Sequence, residues 1–179
     1  MTSLEPVPVL RPGAGQEANP DGMAAVPEPG CELHRAPYMI RGDSLAPRLA
    51  PGVQLELAQG YYRCHPPRRG ELVVFPWAGH PAPLGKVIAA VPGDRFEVRM
   101  LERSWRLLIS GAPAVNSQGQ RYFLDERARR LLQHLAESTD LTVPADALLV
   151  LGDKPQLTAD SRRFGFIPLQ SLLGRLDAP

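Results

Sequence analysis

The segment RGDSLAP, residues 41–47, presents a serine in a setting typical of a nucleophile. A serine hydroxyl attacks a carbonyl group readily only when a neighbouring base takes its proton, so Ser44 needs a partner elsewhere in the chain. Histidine and lysine are the candidate bases. The chain has four scattered histidines and only two lysines, Lys86 and Lys154, so the choice can be examined from the sequence.

Three interpretations of this segment differ in what they require. Arg-Gly-Asp is a cell-adhesion tripeptide, but three residues recur by chance, and the N-terminus lacks the basic start and apolar core of a secretion signal. Gly-Asp-Ser-Leu is the nucleophile block of an esterase family, which needs a histidine base held by a carboxylate, as Asp-x-x-His near the C-terminus. No histidine here has Asp three positions before it, and none follows His134. The third interpretation is a Ser/Lys protease, which presents its serine as Gly-x-Ser followed by Pro three residues later.

A lysine base must be buried. With an ordinary pKa near 10.4, well under ~1 % of a lysine is neutral at pH 7.5, and burial among apolar side chains lowers that pKa. Lys86 lies in the apolar run PLGKVIAAV, whereas Lys154 lies between Asp153 and Pro155 in a predicted loop. Lys86 is therefore the predicted base. Taken alone, the run also fits a strand lysine that points to solvent.

The rest of the chain predicts a mainly β domain. Short β-like runs are separated by turn signals. Four of them are VQLELA, GELVVF, GKVIAAV and LLVLGD. RFEVRM and WRLLIS are predicted to be the two arms of a hairpin around 101–104. Two segments have helical spacing. These are LDERARRLLQHLAE, with Leu124, Ala128, Leu131, Leu132 and Leu135 on one face, and PLQSLLGRL near the end. Residues 1–36 are rich in Pro and Gly and are predicted to be a flexible tail, followed by one domain over 37–179.

Composition excludes several other functions. The net charge of +1 gives no general electrostatic argument for nucleic-acid binding. The histidines and cysteines fit no metal-site spacing, so neither a metal nor another cofactor is expected. No apolar run approaches the ~20 residues of a membrane span. We therefore expect a protein that is soluble or peripheral to the cytoplasmic membrane, without a span or signal peptide in this chain.

Four blocks in order resemble the type I signal peptidase family of Ser/Lys endopeptidases, and the lack of a span resembles its conjugative pilin-processing relatives. IRGDSLAP is similar to the nucleophile block, and RRGELVVF to the strand that follows it. GKVIAAVPGDRFEV is similar to the lysine block. VPADALLVLGDKPQLTADSRRFGFIP is similar to the last block, and ISGAPAVNSQGQRYFL to a hairpin segment between them. The resemblance implies a signal-peptidase-like antiparallel β-sheet domain with one or two short helices.

The resemblance also implies roles for individual residues. Ser44 matches the nucleophile, Lys86 the general base, and Thr158 a hydroxyl residue that holds the lysine. Gly42 falls where one branch of the family has a serine whose hydroxyl joins the Ser44 N–H in the oxyanion hole. The remaining matches are expected to support the site structurally; they are Pro47, Gly93, Gly152, Asp153, Asp160 and Arg162. Leu45 replaces the family's usual Met, and Lys154 replaces an Asn.

The function implied is cleavage of extended peptides or preproteins after small residues, in precursors that are secreted or inserted into a membrane. A membrane protein is a candidate partner, since relatives are tethered by N-terminal spans. Two alternatives stay open from the sequence. One is a catalytically silent domain of the same fold that binds a membrane partner. The other is a self-cleaving repressor of the Ser/Lys class, although residues 1–36 are too short and too Pro-rich for its DNA-binding domain.

Overall fold

A computed structural model describes residues 32–156 and 158–177. Within them, the strands pair antiparallel in two sheets. The strands are β1 (His34–Met39), β2 (Gln54–Gln59), β3 (Leu72–Phe75), β4 (Leu84–Ala90), β5 (Phe96–Leu101), β6 (Ser104–Ile109), β7 (Ala112–Pro113), β8 (Ala147–Leu151), β9 (Ile167–Pro168) and β10 (Gly174–Asp177). The larger sheet has the order β1-β2-β10-β3-β4-β8-β9, and the smaller one the order β5-β6-β7. The expectation of a mainly antiparallel β domain is confirmed.

The predicted hairpin and the first predicted helix are present. Glu102 and Arg103 both have positive φ and form the two-residue turn between β5 and β6, as the twist of a hairpin favours. Helix α1 (Glu126–Ser138) begins at the N-cap Asp125, whose carboxylate accepts a 2.7 Å hydrogen bond from the Ala128 amide. Its buried face packs on β5 and on a short second helix, α2 (Ser161–Phe164).

The prediction of a second helix over PLQSLLGRL is wrong. Its first residue, Pro168, ends the edge strand β9, where a missing N–H costs no ladder bond. Leu169–Ser171 form a single 3₁₀ turn, and the remaining residues enter β10, which pairs with both β2 and β3 inside the sheet. The leucines with helical spacing therefore pack in two different clusters, with Leu176 on one side of the sheet and Leu169 on the other.

The predicted domain boundary falls inside the first strand. Residues 34–36 were assigned to the tail, but they belong to β1, which pairs with β2 from His34 opposite Gln59. Of the rest of the predicted tail, residues 32–33 precede β1, and residues 1–31 lie outside the described residues. Within the described part of the chain, no helix has the length and apolar character needed to cross a bilayer.

Three apolar clusters hold this architecture together. One lies between α1, β5 and β8 and includes Phe96, Leu132 and Leu149. The other two cover opposite faces of the larger sheet, because side chains alternate along each strand. The face that carries Val73 and Ile88 also carries Lys86, so this lysine projects into an apolar layer.

Candidate active site

Ser44 lies in a tight loop between β1 and β2. The loop is closed at its base by two hydrogen bonds of Ile40, which donates to Val53 and accepts from Gly52. Leu45 and Leu49 point from it into the core, and the Leu49 amide donates to the Leu45 carbonyl at 2.8 Å. These buried leucines fix the loop to the core, and Ser44 lies in the same loop with its side chain half-buried.

Lys86 is near the start of β4 and its side chain is only 2 % exposed. Its backbone is opposite Val73 of β3, and Leu84 and Ile88 lie on the same face of the strand. The Lys86 Nζ donates a 2.6 Å hydrogen bond to the Ser44 Oγ, although 42 residues separate them in sequence. The structure thus brings the two predicted catalytic residues together. It also excludes the alternative in which Lys86 is a strand residue that points to solvent.

Burial lowers the pKa of Lys86 to about 8 from its ordinary 10.5. Desolvation is the main cause, because removing water disfavours the ammonium more than the neutral amine. The Asp160 carboxylate opposes the shift and the Arg162 guanidinium adds to it. The neutral amine that a base requires is therefore accessible near neutral pH.

The turn after β8 contacts the nucleophile directly. The Ser44 carbonyl accepts hydrogen bonds from the amides of Asp153 at 2.8 Å and Lys154 at 3.3 Å. Gly152 makes this approach feasible, since a Cβ there would lie 2.5 Å from the Ser44 carbonyl oxygen and 2.7 Å from the Thr158 Oγ1. Gly152 and Asp153 are both predicted to support the site, and the structure places both beside Ser44.

The Asp153 carboxylate ties two segments to this turn, the loop that carries Ser44 and the segment that carries Ser117. It accepts from the Arg48 amide at 2.9 Å, from the Ser117 amide at 2.8 Å and from the Ser117 hydroxyl at 2.6 Å. Its backbone carbonyl accepts from the Asn116 side chain at 2.9 Å, and the Tyr122 hydroxyl donates to the Gly152 carbonyl at 2.7 Å. All of these groups are satisfied, as buried polar groups must be.

Asn116, Ser117 and Tyr122 were not predicted as site residues. They belong to the segment ISGAPAVNSQGQRYFL, for which the sequence indicated only a hairpin. The available signal was Asn-Ser-x-Gly, a typical turn. In the structure, the Asn116 side-chain oxygen accepts from the amides of Gln118 and Gln120 and so fixes that turn.

Asp160 and Arg162 form a fully buried ion pair of 2.7 Å. Asp160 also caps α2 by accepting from the Arg162 amide, and its Oδ2 accepts a 3.0 Å bond from the Gly152 amide. Arg162 donates further to the carbonyls of Pro155 at 2.7 Å and Gln156 at 2.8 Å. This pair therefore braces the final loop against the turn that holds Ser44, in the supporting position predicted for it.

The Thr158 hydroxyl donates to the Asp160 Oδ2 at 2.6 Å. The sequence suggested instead that this hydroxyl holds the lysine. Thr158 does lie at the site, since its Oγ1 is close to Gly152. Its hydroxyl also accepts from the Arg162 Nη2 at 3.5 Å, so it contacts both members of the ion pair whose charges act on the pKa of Lys86.

The remaining predicted residues differ in their distance from the dyad. Gly42, two residues before Ser44, adopts the left-handed conformation with φ of 69°. Pro47 follows a cis peptide bond in the nucleophile loop. Gly93 lies in the turn beyond β4, where its amide donates to the Val143 carbonyl. It is seven residues beyond Lys86, roughly 20 Å along an extended chain, so it shapes the far end of the strand.

A small pocket of about 40 Å³ opens beside the dyad. Tyr38, Leu45 and Leu84 contribute to its wall, together with Ser44 and Lys86. The Tyr38 hydroxyl donates to the Pro83 carbonyl at 2.9 Å and holds the loop before β4 in place. The pocket is thus small, and it favours a short side chain over a bulky one.

The chain is similar to known proteins over most of its length. The family model described as signal peptidase, peptidase S26 matches residues 32–179. A signal peptidase I from Leptolyngbya laminosa is 28 % identical over 153 residues, covering 76 % of this chain and 64 % of that protein. A signal peptidase I from Bacillus caldolyticus is 30 % identical over 145 residues, covering 78 % of this chain and 76 % of that protein.

One solved structure among the similar proteins is a signal peptidase I from Enterococcus faecalis V583. It has a TM-score of 0.44 and 27 % identity, and the alignment covers 63 % of this chain and 98 % of that one. This chain spans just under two thirds of the length of the Leptolyngbya relative.

Proposed function

Because the chain belongs to the signal peptidase, peptidase S26 family, we propose that it is a serine endopeptidase with Ser44 as nucleophile and Lys86 as general base. The observation that carries this proposal is the 2.6 Å contact between the Lys86 Nζ and the Ser44 Oγ inside an apolar layer. A nucleophile within hydrogen-bond reach of a base with a lowered pKa is the arrangement that serine-dependent acyl transfer needs.

The reaction proceeds in two stages. Neutral Lys86 takes the Ser44 hydroxyl proton as the oxygen attacks the scissile carbonyl carbon, and the Ser44 amide N–H stabilises the oxyanion. The Lys86 ammonium then donates its proton to the leaving amine, the C–N bond breaks, and an ester to Ser44 remains. Lys86, neutral again, takes a proton from water, which attacks the ester carbonyl carbon. The ammonium then returns that proton to the Ser44 Oγ as the ester C–O bond breaks, which releases the acyl product and restores the serine.

The substrate is an extended peptide with a small side chain before the cut. The pocket beside Ser44 is small, at about 40 Å³, and favours a short side chain. The edge strand β1, which carries Tyr38 of the pocket wall, has a sheet edge to which an extended peptide can add as a strand. Together with the family, these features favour the processing of preproteins, with a membrane protein as candidate partner.

The experiment that tests the proposal is cleavage of an extended peptide with Ala before the cut, alongside labelling by a serine-reactive lactam. Wild-type protein should cleave the peptide and gain the mass of the probe on Ser44, and Ser44→Ala should do neither. A folded wild type that neither cleaves nor labels would instead support the silent binding domain. Cleavage confined to its own chain would support the self-cleaving alternative.

A further inference from the structure

We propose that Lys154 and Asp43 form a positioning pair that fixes the peptide group carrying the Ser44 amide. This inference rests on the proposed function, in which that amide is the oxyanion donor.

Residues 153–154 hold the nucleophile on both sides of that peptide group. On the C-terminal side, the Ser44 carbonyl accepts from the amides of Asp153 and Lys154. On the N-terminal side, the Lys154 ammonium is bonded to the Asp43 carboxylate. The Asp43 carbonyl also accepts a 3.0 Å bond from the Ala46 amide. One residue, Lys154, therefore holds its backbone against Ser44 and its side chain against Asp43.

Packing does not hold this stretch of the loop. Arg41, Gly42 and Asp43 are all exposed, and no atom lies within 4 Å of where a Cβ on Gly42 would be. Gly42 is also conformationally permissive, so rotation about its backbone is the motion most able to turn the Asp43–Ser44 peptide. An ion pair directly after Gly42 opposes that rotation.

The pair is expected to affect catalysis more than stability. The Asp43 and Lys154 side chains are 62 % and 37 % exposed, and exposed ion pairs contribute little to the free energy of unfolding. An oxyanion donor, however, acts only when it points at the developing charge, so a change in its orientation lowers the rate of the chemical step. The hydrogen bond and the charge of Lys154 lower the pKa of the Asp43 carboxyl below its ordinary value.

Peptide kinetics on Lys154→Gln and Asp43→Asn test the inference. Each should lower kcat about tenfold with KM nearly unchanged, which is less than the roughly 10²–10³-fold expected when an oxyanion donor is lost outright. Lys154→Arg should retain most of kcat, and the exchange Asp43→Lys with Lys154→Asp should recover most of the loss. The inhibition constant of a peptide boronate, a mimic of the tetrahedral intermediate, should rise in parallel with the loss in kcat/KM.

Arg121→Gln is the matched control, because the Arg121 side chain pairs with Glu102, in the turn between β5 and β6, at comparable exposure. It should leave kcat, Tm and boronate binding unchanged. An unchanged kcat in Lys154→Gln would overturn the inference while leaving the proposed function intact. A loss of kcat without weaker boronate binding, or without recovery in the exchanged pair, would overturn it as well. Wild-type protein that neither cleaves nor binds the boronate would overturn the proposed function and this inference with it.

Discussion

The Lys86 Nζ and the Ser44 Oγ are 2.6 Å apart, with the lysine donating. A lysine that donates as an ammonium cannot remove the serine proton. Loss of one proton from Lys86 reverses the direction of the bond, because the neutral amine accepts where the ammonium donated. In the proposed mechanism, activity therefore depends on the titration of one buried group.

Removing either member of this pair should abolish turnover. We expect Ser44→Ala and Lys86→Met each to lower kcat by at least a thousandfold, since the serine hydroxyl is a weak nucleophile without its base. The double variant should be no slower than either single one, because residues that act as a unit have non-additive effects. Circular dichroism should show that each variant is folded. Activity above a tenth of wild type in Lys86→Met would contradict the assignment of the base.

The pH dependence of kcat/KM should report Lys86. Below its pKa of about 8 the lysine is protonated and inactive, so kcat/KM should fall about tenfold for each pH unit below that value and level off above it. The measurement is a pH–rate profile on the Ala-containing peptide. A plateau already reached at pH 6.5 would exclude Lys86 as the base and point to a histidine.

Thr158→Val provides a second observation on the same profile. The Thr158 hydroxyl donates to Asp160, whose carboxylate raises the pKa of Lys86 against the larger effect of desolvation. Removing a neutral hydroxyl leaves both charges in place, so the plateau should fall while the acidic limb stays within one pH unit. A larger displacement would mean that the hydroxyl, and not burial alone, sets the lysine pKa.

The same burial that activates Lys86 should destabilise the fold. A folded-state pKa of about 8 against an ordinary value of 10.5 corresponds to roughly 3 kcal/mol at pH 7. Lys86→Met should therefore unfold at higher temperature than wild type at pH 7. Because the unfolded chain binds the extra proton, wild-type stability should rise between pH 8 and 10.5, and the advantage of the variant should shrink over that window. Equal Tm values at pH 7 would show that the burial penalty is absent.

The dyad could be predicted from the sequence because its requirements are local. A lysine in an apolar run and a serine in a turn are visible without knowing the fold, and a chain with two lysines leaves little choice. The alternation of β2 and the two-residue turn between β5 and β6 are also properties of short segments. The structure contains the predicted strand and the hairpin turn, and it brings Ser44 and Lys86 within hydrogen-bond distance.

The features that escaped prediction depend on contacts between distant segments. The spacing of leucines in PLQSLLGRL fits a helix. Its last residues form a strand because they pair with β2 on one side and with β3 on the other. Gly174 fits there because a Cβ would lie 2.2 Å from the Ala58 carbonyl oxygen. Likewise, the hydrogen bonds of Ser117 to Asp153 join a hairpin turn to the end of a strand 36 residues away, and neither partner alone indicates the other.

Gly152 should tolerate no side chain. Its φ is not in the left-handed region, so the constraint is purely steric: an alanine Cβ would meet the Ser44 carbonyl oxygen at 2.5 Å. Gly152→Ala should force the Asp153 turn away from Ser44 and lower kcat/KM by at least about 10²-fold, as a shift of one ångström can do. Tm should fall as well. Gly85→Ala is the control for stability, because its nearest contacts would be at 3.4 Å and its Tm should change little. A fully active Gly152→Ala would contradict the close approach.

The size of the pocket beside Ser44 should set which residue can precede the cut. Leu45 is buried and forms part of the wall of a pocket of about 40 Å³, so shortening it creates space next to the substrate side chain. Leu45→Ala should raise kcat/KM for a peptide with Val before the cut relative to the peptide with Ala, reversing much of the wild-type preference. The substitution should also lower stability by about 2–5 kcal/mol, as for other buried leucines.

Leu49→Ala separates these two effects. Leu49 lies in the same loop and the same apolar cluster, but it does not line the pocket. It should therefore lower Tm without changing the ratio of kcat/KM between the Val and Ala peptides. If both variants shifted that ratio equally, the preference would depend on the general stability of the loop. If neither shifted it, the small pocket would not be where the side chain before the cut binds.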